Sequence, residues 1–131
     1  MIPTPHTWIE INQNALAHNF KMYKKAIGTR ALGVVVKSNA YGHGIVEVAR
    51  VCQASIDVDW IFTATLTEAL QLRMNGITKP ILVIYFIDED PAKAIAYDID
   101  VMVSDLQALD ELNDLGIALA KPCNIHLKID S

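Results

Sequence analysis

A lysine that directly follows a run of β-branched residues is placed for covalent chemistry. In Val34-Val35-Val36-Lys37-Ser38-Asn39-Ala40-Tyr41-Gly42-His43-Gly44, Lys37 closes an apolar run whose composition marks a buried strand. The C-terminal ends of such strands are where α/β proteins set their active-site residues. Lysine is rarely buried without a partner or a task. An ammonium stripped of water gives up its proton more readily, and the neutral amine then adds to an aldehyde to form a Schiff base. Residue types alone also allow a strand-end lysine that snorkels to solvent before a turn. Gly42 and Gly44 bracket His43 and permit positive φ or close approach of a ligand. Tyr41 can bring a ring or hydroxyl beside whatever Lys37 holds, and His43 is read as making a loop hydrogen bond.

A second lysine stands near the other end of the chain. In Asn124-Ile125-His126-Leu127-Lys128-Ile129, strand alternation puts Asn124, His126 and Lys128 on one face. Ile125, Leu127 and Ile129 take the other. A polar row on a buried strand points to the interior of a barrel; a solvated edge strand gives the same pattern.

The elements that must position these residues alternate. Asn12 caps a helix to about residue 26, with Leu16, Phe20, Tyr23 and Ile27 on its apolar stripe and Lys21, Lys24 and Lys25 facing elsewhere. A strand over 31–36, a loop over 38–44 and a helix to about residue 54 follow. Next come a strand over 60–63 and the capping box Thr65-Leu66-Thr67-Glu68, opening a helix that Gly76 stops. A strand over 81–86, an acidic turn (Asp88, Glu89, Asp90, Pro91) with a short helix, and a strand over 100–103 come after. Ser104-Asp105-Leu106-Gln107 reads as another capping box, for a helix ending before Gly116, and a strand covers 124–129. Strand–helix alternation implies parallel strands with crossover helices. Periodicity leaves two architectures open: a doubly wound sheet, and part of an eight-stranded barrel.

Composition limits the functional classes. The 131 residues carry a net charge of −4 and no basic stripe, which argues against a nucleic-acid partner. No apolar run approaches the roughly 18 residues that span a bilayer, and the first seven residues lack the pattern of a signal peptide. Cys52 and Cys123 form no Cys-x-x-Cys pair and read as reduced, partly buried thiols of a cytosolic protein. The chain stops right after a strand, which suggests an N-terminal fragment, because an uncovered last strand invites aggregation.

The run from Val35 to Gly44 resembles the pyridoxal phosphate attachment signature of the alanine racemases, which more often carries Ala at the position of Ser38. Thr7-Trp8-Ile9-Glu10-Ile11 and Ala15-Leu16-Ala17-His18-Asn19 resemble that family's opening. Residues 60–69, the stretch Gly76-Ile77-Thr78-Lys79-Pro80-Ile81-Leu82-Val83 and the final His126-Leu127-Lys128-Ile129-Asp130-Ser131 resemble later segments, the last usually ending in Thr. Asp57-Val58-Asp59, where glycine is common, and the acidic turn at Asp88 depart from the family without touching its chemistry.

The resemblance implies a (β/α)8 TIM-type barrel followed by a C-terminal β domain, paired as a head-to-tail homodimer. Residues 1–131 would be the N-terminal portion of the barrel, truncated after about the fifth strand, and Trp8 to Ile11 would pack with the C-terminal domain. It implies pyridoxal 5'-phosphate on Lys37, with Lys37 then serving as base on one face of the substrate α-carbon, and Tyr41 beside the cofactor. Lys128 matches a lysine that many members carry carbamylated, where it orients an arginine a few residues later. The second acid–base group is a tyrosine of the partner subunit. The expected reaction interconverts L- and D-alanine in the cytoplasm, supplying D-alanine for peptidoglycan, with this chain inactive alone. Related serine, lysine or broad-specificity racemases remain open. So does a non-catalytic pyridoxal phosphate carrier, although carriers usually lack the continuation from Asn39 to Gly44. A module without chemistry, self-associating through unpaired strand edges, is a further expectation.

Overall fold

The computed structural model describes residues 7–129. The reading of the first six residues, and the Asp130-Ser131 end of the last family-like segment, therefore lie outside the described residues.

Helix α1 (Gln13–Ile27) opens the fold, with the Asn12 side chain accepting the Ala15 amide. It is followed by β1 (Gly33–Val35), a short turn α2 (Lys37–Tyr41), α3 (Ile45–Ala54), β2 (Trp60–Thr65) and α4 (Leu66–Met74). Then come β3 (Ile81–Phe86), α5 (Ala92–Ala96), β4 (Asp100–Val103), α6 (Leu106–Ala118) and β5 (Ile125–Leu127). All four strand pairings are parallel, and the strand order is β1-β2-β3-β4-β5. A doubly wound sheet reverses its order at a switch point. This one never does, so the strands follow the sequential winding of a barrel wall.

Alternation along the strands sorts the core. Ile61 and Thr63 on β2, Ile81 and Val83 on β3, and Val101 and Val103 on β4 lie beneath the helices and are buried. They meet Val48, Ala49 and Cys52 of α3, Leu66, Ala69 and Leu72 of α4, and Leu112 of α6. Thr63 is the one buried polar residue among those described, and its hydroxyl donates to the Thr65 carbonyl at 3.1 Å. The opposite face, carrying Trp60, Phe62, Asp100, Met102 and His126, is less covered. There the Phe62 ring lies over Gly33, where a Cβ would meet the ring at 2.4 Å. Glycine in β1 is thus set by close approach of its neighbouring strand.

Several boundaries differ from expectation. β1 and β5 are shorter, because pairing with the neighbouring strand, not composition, ends them. Asp105, not Ser104, caps α6, accepting the Ala108 amide at 2.8 Å, and the helix passes through Gly116 to Ala118. One glycine costs a helix only about 1 kcal/mol, which the flanking turn tolerates. Tyr23 is exposed rather than on the packed stripe of α1. Lys24 is turned inward instead, its ammonium bonded to Asp59 at 2.6 Å and to the Arg30 carbonyl at 2.9 Å. Trp8 to Ile11 form neither helix nor strand. The two cysteines are free: Cys52 is buried, and that burial pushes its thiol up to about 11, while Cys123 is partly buried.

Candidate active site

Lys37 leaves the C-terminal end of β1 half-buried, and its ammonium lies 3.4 Å from the hydroxyl of Tyr85. The same nitrogen stands 4.6 Å from the centroid of the Tyr85 ring, within cation–π range. Tyr85 gets there through an irregularity. β2 and β3 pair Thr63 with Val83 but Thr65 with Phe86, so β3 carries an extra residue between those pairs. A bulge of this kind re-aims side chains at the rim of a sheet. Sequence reasoning missed Tyr85 because it lies 48 residues from Lys37 and only the bulge turns it toward the amine.

The loop expected after Lys37 is a left-handed helical turn. Ser38, Asn39, Ala40 and Tyr41 all have φ between 52° and 56°. For L-residues this conformation costs roughly 1–2 kcal/mol each, so the turn persists only because its surroundings hold it. The Ala40 amide donates to the Val36 carbonyl at 2.7 Å, and the Gly44 amide to the Asn39 carbonyl at 3.0 Å. The Asn39 side chain accepts the Ile45 amide at 2.9 Å, tying the turn to the start of α3. Gly42 and Gly44 take φ of 93° and 99°, the use expected of them. The Ser38 amide donates to a Glu68 carboxylate oxygen at 2.6 Å, and the Ala64 amide to the other at 2.9 Å.

That last contact revises the capping box. The Thr65 hydroxyl does accept the Glu68 amide at 3.3 Å. The reciprocal half goes elsewhere: the Glu68 carboxylate reaches past Thr65 to Ala64 and across to Ser38. The acidic turn supplies a further cap, as Asp88 accepts the Thr67 amide at 2.9 Å. Desolvation alone would raise the Asp88 carboxyl pKa, but bonds from the Thr67 amide and the Thr67 and Thr65 hydroxyls leave it lowered.

The other candidates are not gathered around Lys37. Tyr41 is exposed and makes no side-chain hydrogen bond among the described residues. His43 is exposed; its backbone amide donates to the Ala40 carbonyl at 3.1 Å, so the loop hydrogen bond comes from the main chain. On β5, His126 shares a face with Met102 and Asp100. Its ring lies 3.2 Å from the Asp100 carboxylate and packs edge-on against Trp60 at 5.4 Å. The expected polar row is therefore on the face away from the helices. Lys128 follows two residues on and is exposed, its backbone amide donating to the Val103 carbonyl at 2.8 Å. Among the described residues no group of acidic, cysteine or histidine side chains is arranged to hold a metal, and no helix is long and apolar enough to cross a membrane.

The residues present suit an aldehyde cofactor. A primary amine, half-covered by an aromatic face, stands at a strand end next to a turn fixed by side-chain acceptors.

The chain is similar to known proteins in sequence and fold. Among solved structures, the alanine racemase from D-cycloserine-producing Streptomyces lavendulae is 40% identical with a TM-score of 0.84, covering 92% of this chain and 31% of that one. The alanine racemase of Clostridium difficile 630 is 34% identical with a TM-score of 0.87, over 98% of this chain and 34% of that one. A histidine racemase from Leuconostoc mesenteroides is 26% identical with a TM-score of 0.75, over 86% of this chain and 30% of that one. Among curated proteins, alanine racemase 2 of Caldanaerobacter subterraneus is 37% identical over 95% of this chain. The chain spans about a third of that relative's length, 32%. The model of the alanine racemase N-terminal domain matches residues 11–131. With Lys37 at the end of the first strand of a sequentially wound parallel sheet, the chain belongs to the alanine racemase family, within whose N-terminal domain it falls.

Proposed function

We propose that the whole protein interconverts L- and D-alanine, and that this chain supplies the lysine that anchors pyridoxal 5'-phosphate. The observation that carries the reading is the position of Lys37, its amine held at the C-terminal end of β1 against Tyr85. When bound, the cofactor supplies an electron sink that makes the α-proton of an amino acid removable.

The chain's own residues do the rest on one side of the reaction. Lys37 holds the cofactor through its Nζ and, once released, takes or returns the proton at the α-carbon on one face. Tyr85 limits where that nitrogen can stand, through its hydroxyl and ring. Tyr41 is assigned a binding role beside the cofactor. Lys128 is read as the lysine that carbamylation turns into an anion. Racemisation needs a second acid–base group on the opposite face, which this reading places on a tyrosine of a partner subunit. It therefore makes the working protein a cytoplasmic homodimer whose barrel is continued by a C-terminal β domain, and this chain alone inactive. A second reading, racemisation of a different amino acid, is favoured by the likeness to the histidine racemase of Leuconostoc mesenteroides.

The test adds pyridoxal phosphate to the chain, follows visible absorbance, reduces with borohydride and maps the added mass. Mass on the Lys37 peptide, absent in Lys37→Ala, is the expected result. Equal labelling of both proteins overturns the assignment.

A further inference from the structure

Glu68 links two elements that the sequence keeps 30 residues apart. It sits in the first turn of α4, half-buried, and its backbone amide is fixed by the Thr65 hydroxyl. A capping-box glutamate ordinarily folds back on the capping residue's own amide. Here the carboxylate is divided between the Ala64 amide, at the end of β2, and the Ser38 amide, the first backbone donor after Lys37. The neighbouring Thr67 amide is already satisfied by Asp88. Ser38 is also the first of the left-handed residues, the point at which the chain must leave its ordinary conformation.

Resting on the reading of Lys37 as cofactor anchor, we propose that Glu68 is its positioning residue: by accepting the Ser38 and Ala64 amides it clamps the left-handed turn to the end of β2 and fixes where the Lys37 amine stands. Glu68 touches neither substrate nor cofactor. It acts through one peptide unit, adjoining Lys37. The direction in which Lys37 leaves β1 follows from the orientation of that peptide, which a backbone free to relax toward right-handed φ would lose.

Glu68→Ala removes both acceptors, while Glu68→Gln keeps one carbonyl oxygen. Two readouts are compared in the chain as it stands: amide hydrogen exchange at Ser38 and Ala64, and the rate of pyridoxal phosphate capture by Lys37 per folded molecule. Loss of a charge-assisted hydrogen bond predicts that Glu68→Ala speeds exchange at both amides and slows capture, each by roughly tenfold. Glu68→Gln should restore part of both. A lower melting temperature with exchange at Ser38 and capture per folded molecule unchanged marks a merely structural glutamate and overturns the proposal. If wild type captures no pyridoxal phosphate, the anchor reading has failed. Acetylation of Lys37 by acetic anhydride then replaces capture, and equal rates with unchanged exchange in wild type and variant overturn the role of Glu68. If Glu68→Ala does not fold, Glu68→Gln decides, and exchange at both amides equal to wild type sinks the idea.

Discussion

Arg73→Ala tests how the end of the sheet opposite Lys37 is held. The Arg73 guanidinium donates to four carbonyls: Ile77 and Lys79 at 2.8 Å each, Tyr97 at 3.0 Å and Asp98 at 2.8 Å. Those carbonyls belong to the turns that lead into β3 and β4, so one side chain sets the entry of two neighbouring strands. The Asp98 carbonyl leaves a residue with φ of 51°, which the Lys121 ammonium also braces through the Asp98 carboxylate at 2.7 Å. Not all four bonds count equally. Those to Tyr97 and Asp98 are exposed, and water replaces them at little cost. Those to Ile77 and Lys79 are partly buried. At about 1.5 kcal/mol for each partly buried, charge-assisted bond, Arg73→Ala should cost about 3 kcal/mol. Arg73→Lys keeps the charge but not the fork and should recover less than half. Urea denaturation followed by far-ultraviolet circular dichroism measures both, through the transition midpoint at constant slope. A loss under about 1 kcal/mol for Arg73→Ala would show that solvent satisfies these carbonyls equally well. Per folded molecule, capture of pyridoxal phosphate by Lys37 should not change, since Arg73 lies at the opposite strand ends.

Acid stability should depend on Asp59. The Lys24 hydrogen bond, and next the Leu32 amide, hold its carboxyl below the ordinary value of 3.8. A lowered folded-state value stabilises at pH above the unfolded value, and that stability is lost as pH falls through the folded one. Asp59→Asn should therefore unfold at lower urea than wild type near neutrality, with the difference closing in acid; a gap constant with pH would refute this. Cys52 titrates with the opposite sense. Its thiol is raised from 9.0 to about 11 by burial, so its contribution is complete below the unfolded value and disappears as pH rises toward 11. A disulfide reagent at pH 8 should label the half-exposed Cys123 first and Cys52 only on unfolding; simultaneous labelling counts against the buried assignment.

The alternation of strands and helices was legible in the sequence because it rests on local signals. Apolar runs marked the first four strands and polar–apolar alternation the fifth, and Asn12 and Thr65 cap where the side-chain chemistry says they should. Strand order was not legible, since periodicity is the same in a barrel wall and a doubly wound sheet. At the site, Lys37 was found from its place at a strand end and from resemblance, but its neighbours were not. Tyr85 needs a bulge and Glu68 an altered capping box, both of which depend on contacts made across the fold. The left-handed turn ran against local preference: Ser, Ala and Tyr at positive φ are unfavourable, and bonds within residues 36–45 together with Glu68 keep them there. The inward turn of Lys24 had the same origin, in a carboxylate 35 residues away.

The sequential strand order also has a consequence during synthesis. Each strand pairs with the one made just before it, so the sheet can grow as the chain emerges from the ribosome, N-terminal part first. Lys37 is therefore among the first residues of the sheet to appear, yet the carboxylate that braces its turn is made 30 residues after Ser38. In that interval only the bonds within residues 36–45 are there to hold Ser38 to Tyr41 in their left-handed conformation. The clamp on the turn is thus added late, when the first turn of α4 docks at the end of β2 and Glu68 takes up the Ser38 amide.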